Sequence, residues 1–117
     1  MSLQSFYLLP KVRQVDAWMT PDRQLRVFEA HPELVWARLA GAPVLASKRT
    51  LEGQQLRAGL LPWAVPCWTW RRSEVQPDDV LDAMVMALCA VHREQGLSQP
   101  VSDPEWDERG LLMEMYG

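Results

Sequence analysis

Apolar residues recur at Phe6, Leu9, Val12, Val15 and Trp18, and this spacing predicts a helix over residues 4–18. Pro10 falls inside it, so the helix either kinks there or starts there. "PDRQ", residues 21–24, reads as a turn. "LRVFEA", residues 25–30, is short, partly β-branched and bounded by turn residues, and predicts a strand. "HPELVWARLAG" follows as a helix: Pro32 suits its first position, Glu33 lies in its first turn, and Gly41 is a natural stop. "GAPVLASKRT" reads as a loop, after which Thr50 can cap a short helix over "LEGQQLRAGLL" that ends at Pro62.

"PWAVPCWTWRRSEVQP" holds three prolines and no sustained period, so it reads as an irregular connection anchored by tryptophans. Residues 78–96, "DDVLDAMVMALCAVHREQG", form the strongest pattern in the chain. Asp78 is a candidate N-cap and Gly96 a terminator. The run from Val80 to Val91 is almost wholly apolar and predicts a helix buried on most of its circumference. "LSQPVSDPEWDERG" reads as a loop and "LLMEMY" as a short last strand. The order is helix, strand, helix, helix, long helix, strand. Two strands alone are marginal in water, so the pattern is that of an incomplete, helix-rich α/β fold.

Composition narrows this reading. A chain of 117 residues is one small domain, spanning 1–117, and buries only about two-thirds of its unfolded surface. The net charge of -3 argues against a strongly basic nucleic-acid coat and leaves room for a local basic patch. No apolar run is long enough to span a bilayer. "MSLQSFYLLPKVR" has no basic region ahead of its apolar residues and does not read as a signal peptide. Cys67 and Cys89 are too few for a disulfide framework, which points to reduced thiols and a cytoplasmic location. Six tryptophans are many for this length, and Trp63, Trp68 and Trp70 cluster within eight residues, as core or interface aromatics do.

Asp82 is the chemical anomaly. Met86 and Val85 are its neighbours at helical spacing, and an ionised carboxylate among apolar side chains is costly unless paired or metal-bound. Its position near the first turn, answering the helix dipole, is the plainer alternative. Glu29 closes the predicted strand, and α/β sheets gather ligand sites at strand ends. A solvent-exposed strand-end acid is the plainer reading of it. His31 can order Glu29, move a proton, or bond the backbone at a helix start. Cys89 and His92 have the three-residue spacing of a helical metal pair and Cys67 and His31 would complete four zinc-type ligands, but nothing places the four together and Cys89 sits in an apolar helix. No Gly-rich phosphate loop and no Ser- or Cys-based nucleophile motif is present.

"LPKVRQVD", "VFEAHPEL", "ASKRTLEGQQLR", "PDDVLDAMVMAL" and "DERGLLMEM" occur in this order. Together they resemble, over residues 4–116, the family of predicted nucleases with an RNase H-like fold catalogued as domain of unknown function 429. The resemblance is to the C-terminal half of that family; no stretch corresponds to its opening strand and hairpin sheet. It implies a partial RNase H-like fold with few strands, expected for a natural fragment, a gene with a misplaced start, or an expressed piece. "LPWAVPCWTWRRSEVQ" also stands where relatives carry helix formers. The implied activity is metal-dependent phosphodiester hydrolysis. By resemblance Glu29 and Asp82 are metal ligands for Mg²⁺ or Mn²⁺, with His31 beside them at the catalytic centre. Lys48 and Arg49 would meet nucleic-acid phosphates. Trp68, Trp70, Arg71 and Arg72 offer a stacking platform for bases, with core packing as the alternative.

Two-metal chemistry draws on three or more carboxylates, and only two arrive by motif. The isolated chain is therefore expected to be inactive. The alternative is a non-catalytic binding or assembly module that keeps the packing half of the fold. Uncovered apolar helix faces predict a homo-oligomer, or a partner that supplies the other half.

Overall fold

The computed structural model describes residues 1–65 and 71–117. Cys67, Trp68 and Trp70, and with them part of the stacking platform and of the zinc-type set, lie outside the described residues. Five helices precede a hairpin among the described residues: α1 (Leu3–Trp18), α2 (Pro21–Gln24), α3 (Pro32–Ala40), α4 (Leu51–Leu60), α5 (Pro77–Glu94), β1 (Glu105–Trp106) and β2 (Leu112–Met113). The chain groups into two compact units, one of residues 1–28 and 104–113, the other of residues 29–103 and 114–117.

In the first unit, Ser2 caps α1 by accepting the Ser5 N–H at 3.1 Å. The helix starts there and runs through Pro10, so a start at Pro10 is not realised. None of its residues is buried. "PDRQ" is not a simple turn: Thr20 caps it and Pro21 occupies its first position, which gives the single helical turn α2. β1 and β2 pair antiparallel, Glu105 opposite Met113 and Trp106 opposite Leu112. Asp107 folds the connection, its Oδ1 accepting the N–H groups of Arg109 and Leu111 at 2.8 Å each. Gly110 supplies the left-handed residue, with φ 74°. The predicted loop thus contains half of a hairpin, for which Asp–Glu–Arg–Gly is a recognisable turn sequence. Gln24 anchors it, donating to the Leu112 carbonyl and accepting the Leu112 N–H, both at 2.8 Å. Arg109 binds the end of α1 through Asp16 at 2.9 Å.

In the second unit, α3, α4 and α5 pack on one another. Val35, Trp36, Leu61, Leu81, Val85, Leu88, Cys89 and Tyr116 form its core. Each large apolar side chain buried there contributes about 1.5–3 kcal/mol relative to exposure. α5 begins at Gln76 rather than at an Asp78 cap, because Pro77 takes the first helical position and leaves Asp78 and Asp79 in the first turn. α5 is also not buried most of the way round. Leu81, Val85, Leu88 and Cys89 face the core, while Ala83, Ala87, Ala90 and Val91 are exposed.

The expected strand over 25–30 is not formed. Leu25 and Arg26 complete a turn, and only Ala30 makes a bridge, parallel to Tyr116. The reason is a shortage of extended partners. The Tyr116 N–H donates to the Glu29 carbonyl at 2.9 Å and the His31 N–H to the Tyr116 carbonyl at 3.3 Å, with Pro100 bridging the other edge of Tyr116. "LLMEMY" accordingly divides into β2 and this isolated bridge. The architecture is helix-rich with one small antiparallel sheet, consistent with an α/β class at that coarse level.

Candidate functional site

The site grows from α5. Leu81 and Val85 must face α3 and α4 to be buried, and this rotation leaves Asp82 at the edge of the packed face. Its side chain keeps 17 % of its exposure. Trp36 of α3 is wholly buried, and its indole N–H needs an acceptor there. It donates to Asp82 Oδ1 at 3.2 Å. Lys48 Nζ donates to the other oxygen, Oδ2, at 2.7 Å. The hydrogen bond to Asp82 holds the Lys48 ammonium above its ordinary pKa, against the opposing cost of its partial burial. The charges of Asp82, Asp78 and Glu33 add to the effect.

Lys48 reaches Asp82 because its loop is fastened to α4. Thr50 caps α4, accepting the Gly53 N–H at 3.1 Å and donating to the Ser47 carbonyl at 2.8 Å. Gln54 donates to the Lys48 carbonyl at 3.1 Å. Arg57, 2 % exposed, donates to the carbonyls of Ala46 at 2.9 Å and Gly53 at 3.1 Å. Its Nη2 meets both oxygens of Glu33, at 3.0 and 3.3 Å. Gly53 lets the loop lie directly on the helix, since a Cβ there would stand 1.9 Å from the Ser47 carbonyl oxygen. "ASKRTLEGQQLR" is thus one device: a loop clamped by a cap, an amide and a buried guanidinium, presenting Lys48.

The other candidates lie apart from this centre. Glu29 is exposed, and its backbone, rather than its carboxylate, is what the bridge to Tyr116 uses. The acids acting on Lys48 are Asp82, Asp78 and Glu33, and Glu29 is not among them. His31 is the N-cap of α3, its Nδ1 accepting the Glu33 N–H at 3.2 Å, so it takes the helix-start role. Arg49 is exposed and forms no ion pair among the described residues. Cys89 is buried beside Ser98.

These donors do not fit a metal centre as they stand. Both oxygens of Asp82 are engaged, one by a cation, and Glu33 is committed to Arg57. Among the described residues no group of three or more His, Cys, Asp or Glu side chains gathers to hold an ion. Trp36, Gln54 and Arg57 are the site residues that sequence reasoning missed. Two signals pointed to them: a glycine inside a helical pattern with Gln54 and Arg57 on its face, and a tryptophan on the apolar side of α3.

No helix among the described residues is long and apolar enough to cross a membrane. No curated protein and no solved structure matches the chain at a significant level. The family described as "Protein of unknown function (DUF429)" matches residues 1–106. Four of the five sequence motifs lie inside that match, and "DERGLLMEM" lies beyond it. With the match covering most of its length, the chain belongs to the DUF429 family of proteins of unknown function.

Proposed function

We propose that this chain acts as a non-catalytic binding and assembly module, in which Asp82 is a structural latch. The observation that carries this reading is the occupancy of both Asp82 oxygens by groups of the chain itself, Trp36 Nε1 and Lys48 Nζ. A carboxylate neutralised at 2.7 Å by an ammonium joins α5, α3 and the clamped loop. A cation bound there would compete with the Lys48 ammonium for the carboxylate charge. The uncovered apolar side of α5 supports an assembly role.

The second reading is the hydrolase the resemblance implies, with Asp82 and Glu29 as Mg²⁺ or Mn²⁺ ligands and Lys48 and Arg49 toward nucleic acid. It is favoured by the concentration of negative charge around Lys48, from Asp82, Asp78 and Glu33. When bound, such ions would orient water and stabilise a leaving oxygen.

The two readings part in a cleavage assay on RNA, DNA and hybrid substrates with Mg²⁺ or Mn²⁺. The module reading expects the purified chain to match its Asp82→Asn variant at background. Metal-dependent cleavage abolished by Asp82→Asn would establish the hydrolase.

A further inference from the structure

Within the second unit, the end of α5 meets the segment 114–117 in a polar cluster apart from Asp82. That segment lies in a slot. On one side the Tyr116 N–H donates to the Glu29 carbonyl at 2.9 Å and the His31 N–H to the Tyr116 carbonyl at 3.3 Å. On the other the Val101 N–H donates to the Met115 carbonyl at 2.8 Å. Tyr116 and Gly117 are buried. A Cβ on Gly117 would stand 2.9 Å from Leu34 Cβ and 3.1 Å from Val101 Cγ1.

The Gly117 carbonyl is held twice, by Ser98 Oγ and by Arg38 Nε, each at 2.9 Å. Both donors lean on His92. Its carbonyl accepts the N–H groups of Leu97 at 2.7 Å and Ser98 at 3.2 Å. Its ring meets Arg38 Nη2 through Nδ1 at 3.1 Å. A guanidinium has donors only, so Nδ1 must accept and the ring must be neutral, with its proton on Nε2. A second proton would set N–H against N–H and cation against cation.

Arg38 is the charged group that faces this ring from α3. Residues 97–101 hold no ionisable side chain, and the segment 114–117 contributes Glu114 and Tyr116. On α5 itself, Arg93 stands 5.1 Å from the Tyr116 ring centre and pairs with Glu94 at 3.4 Å.

We propose that His92 is the pH-sensitive catch of a clasp on residues 114–117: protonation at Nδ1 turns Arg38 away from Gly117 and frees the segment from its slot. Release would bare the His31 and Val101 N–H groups and the Glu29 carbonyl. Burial and the Arg38 charge both lower the proton affinity of the ring while the segment is docked. The clasp is therefore closed above the ordinary histidine value and opens as the pH falls through the lowered one. The inference does not depend on the role given to Asp82.

Amide hydrogen exchange on the full chain, followed by NMR from pH 8 to pH 4.5 with the His92 ring shifts recorded alongside, tests this. The Tyr116 and Val101 amides should exchange through an opening smaller than global unfolding, seen as a weaker response to dilute urea than that of Val85. Corrected for intrinsic exchange, their protection should fall about threefold or more, with the midpoint of the ring titration. In His92→Gln, whose amide oxygen can still accept from Arg38, that fall should vanish. Protection that persists to pH 4.5, a midpoint that departs from that of the ring, or the same fall in His92→Gln overturns the proposal. So does a urea response equal to that of Val85, which would make the segment open only with the whole fold.

Discussion

The His92 ring meets Arg38, and that neighbour favours one charge state of the imidazole. Arg38 Nη2 stands 3.1 Å from its Nδ1, while Arg38 Nε donates to the Gly117 carbonyl at 2.9 Å. A guanidinium beside an imidazole calls for the neutral ring, which can accept. Burial lowers the His92 pKa from 6.5 first, and the charge of Arg38 lowers it further. The sign of the consequence follows. Below pH 6.5 the unfolded chain takes up a proton that the folded chain resists, so stability is present above that value. It is lost progressively as the pH falls toward the lowered folded value. Urea midpoints measured from pH 8 to pH 5 should fall on the acid side, and the slope should flatten in His92→Gln. An identical slope in that variant would show that other groups carry the acid sensitivity. Asp82 is the counterpart at the same scale: an acid that helical spacing alone marks as anomalous, and whose partners are 46 and 34 positions away in sequence.

α4 illustrates what an element is selected to do. A glycine costs up to about 1 kcal/mol against alanine in a helix, so Gly53, in the first turn of α4, makes it intrinsically weaker. The gain is the close approach of the Ser47 carbonyl, which a Cβ would meet at 1.9 Å. Gly53→Ala should therefore destabilise the chain by about 1–3 kcal/mol despite its better propensity, because overpacking against backbone leaves little room to relax. Chemical denaturation checks this, and a stabilised Gly53→Ala would mean that the loop is not seated on α4. The elements themselves were largely legible. Pro32, Thr50 and Gly41 occupy the helix positions that their chemistry predicts. No strand forms over 25–30, since β-branched content and turn boundaries do not report whether a neighbouring strand exists. The exposed side of α5 is not legible in sequence, because an almost continuous apolar run has no polar face to show which side is covered. The hairpin escapes patterning because its first strand, Glu105–Trp106, is only two residues long.

At the scale of the molecule, the second unit is held by three helices whose charged contacts converge on one loop. Arg57 fixes the loop to α4 and to Glu33 of α3, and Lys48 carries it on to Asp82 of α5. Sequence reading singles out Glu33, Lys48 and Asp82, whereas Arg57 only stands inside a quoted stretch, and which of them touch is not readable from spacing. The contacts join segments whose separation only packing sets, and Glu29, adjacent by motif, does not join them.

Asp82, through Lys48, ties α5 to the loop clamped on α4. A double-mutant cycle on stability, with Lys48→Met, Asp82→Asn and the pair, measures it most directly. Each single variant is expected to be destabilised, and the pair to couple favourably by about 1 kcal/mol, the upper end for a partly exposed ion pair. A contradictory result would be no coupling together with an Asp82→Asn chain as stable as the wild type or more so, the behaviour of an acid retained for chemistry at a cost in stability.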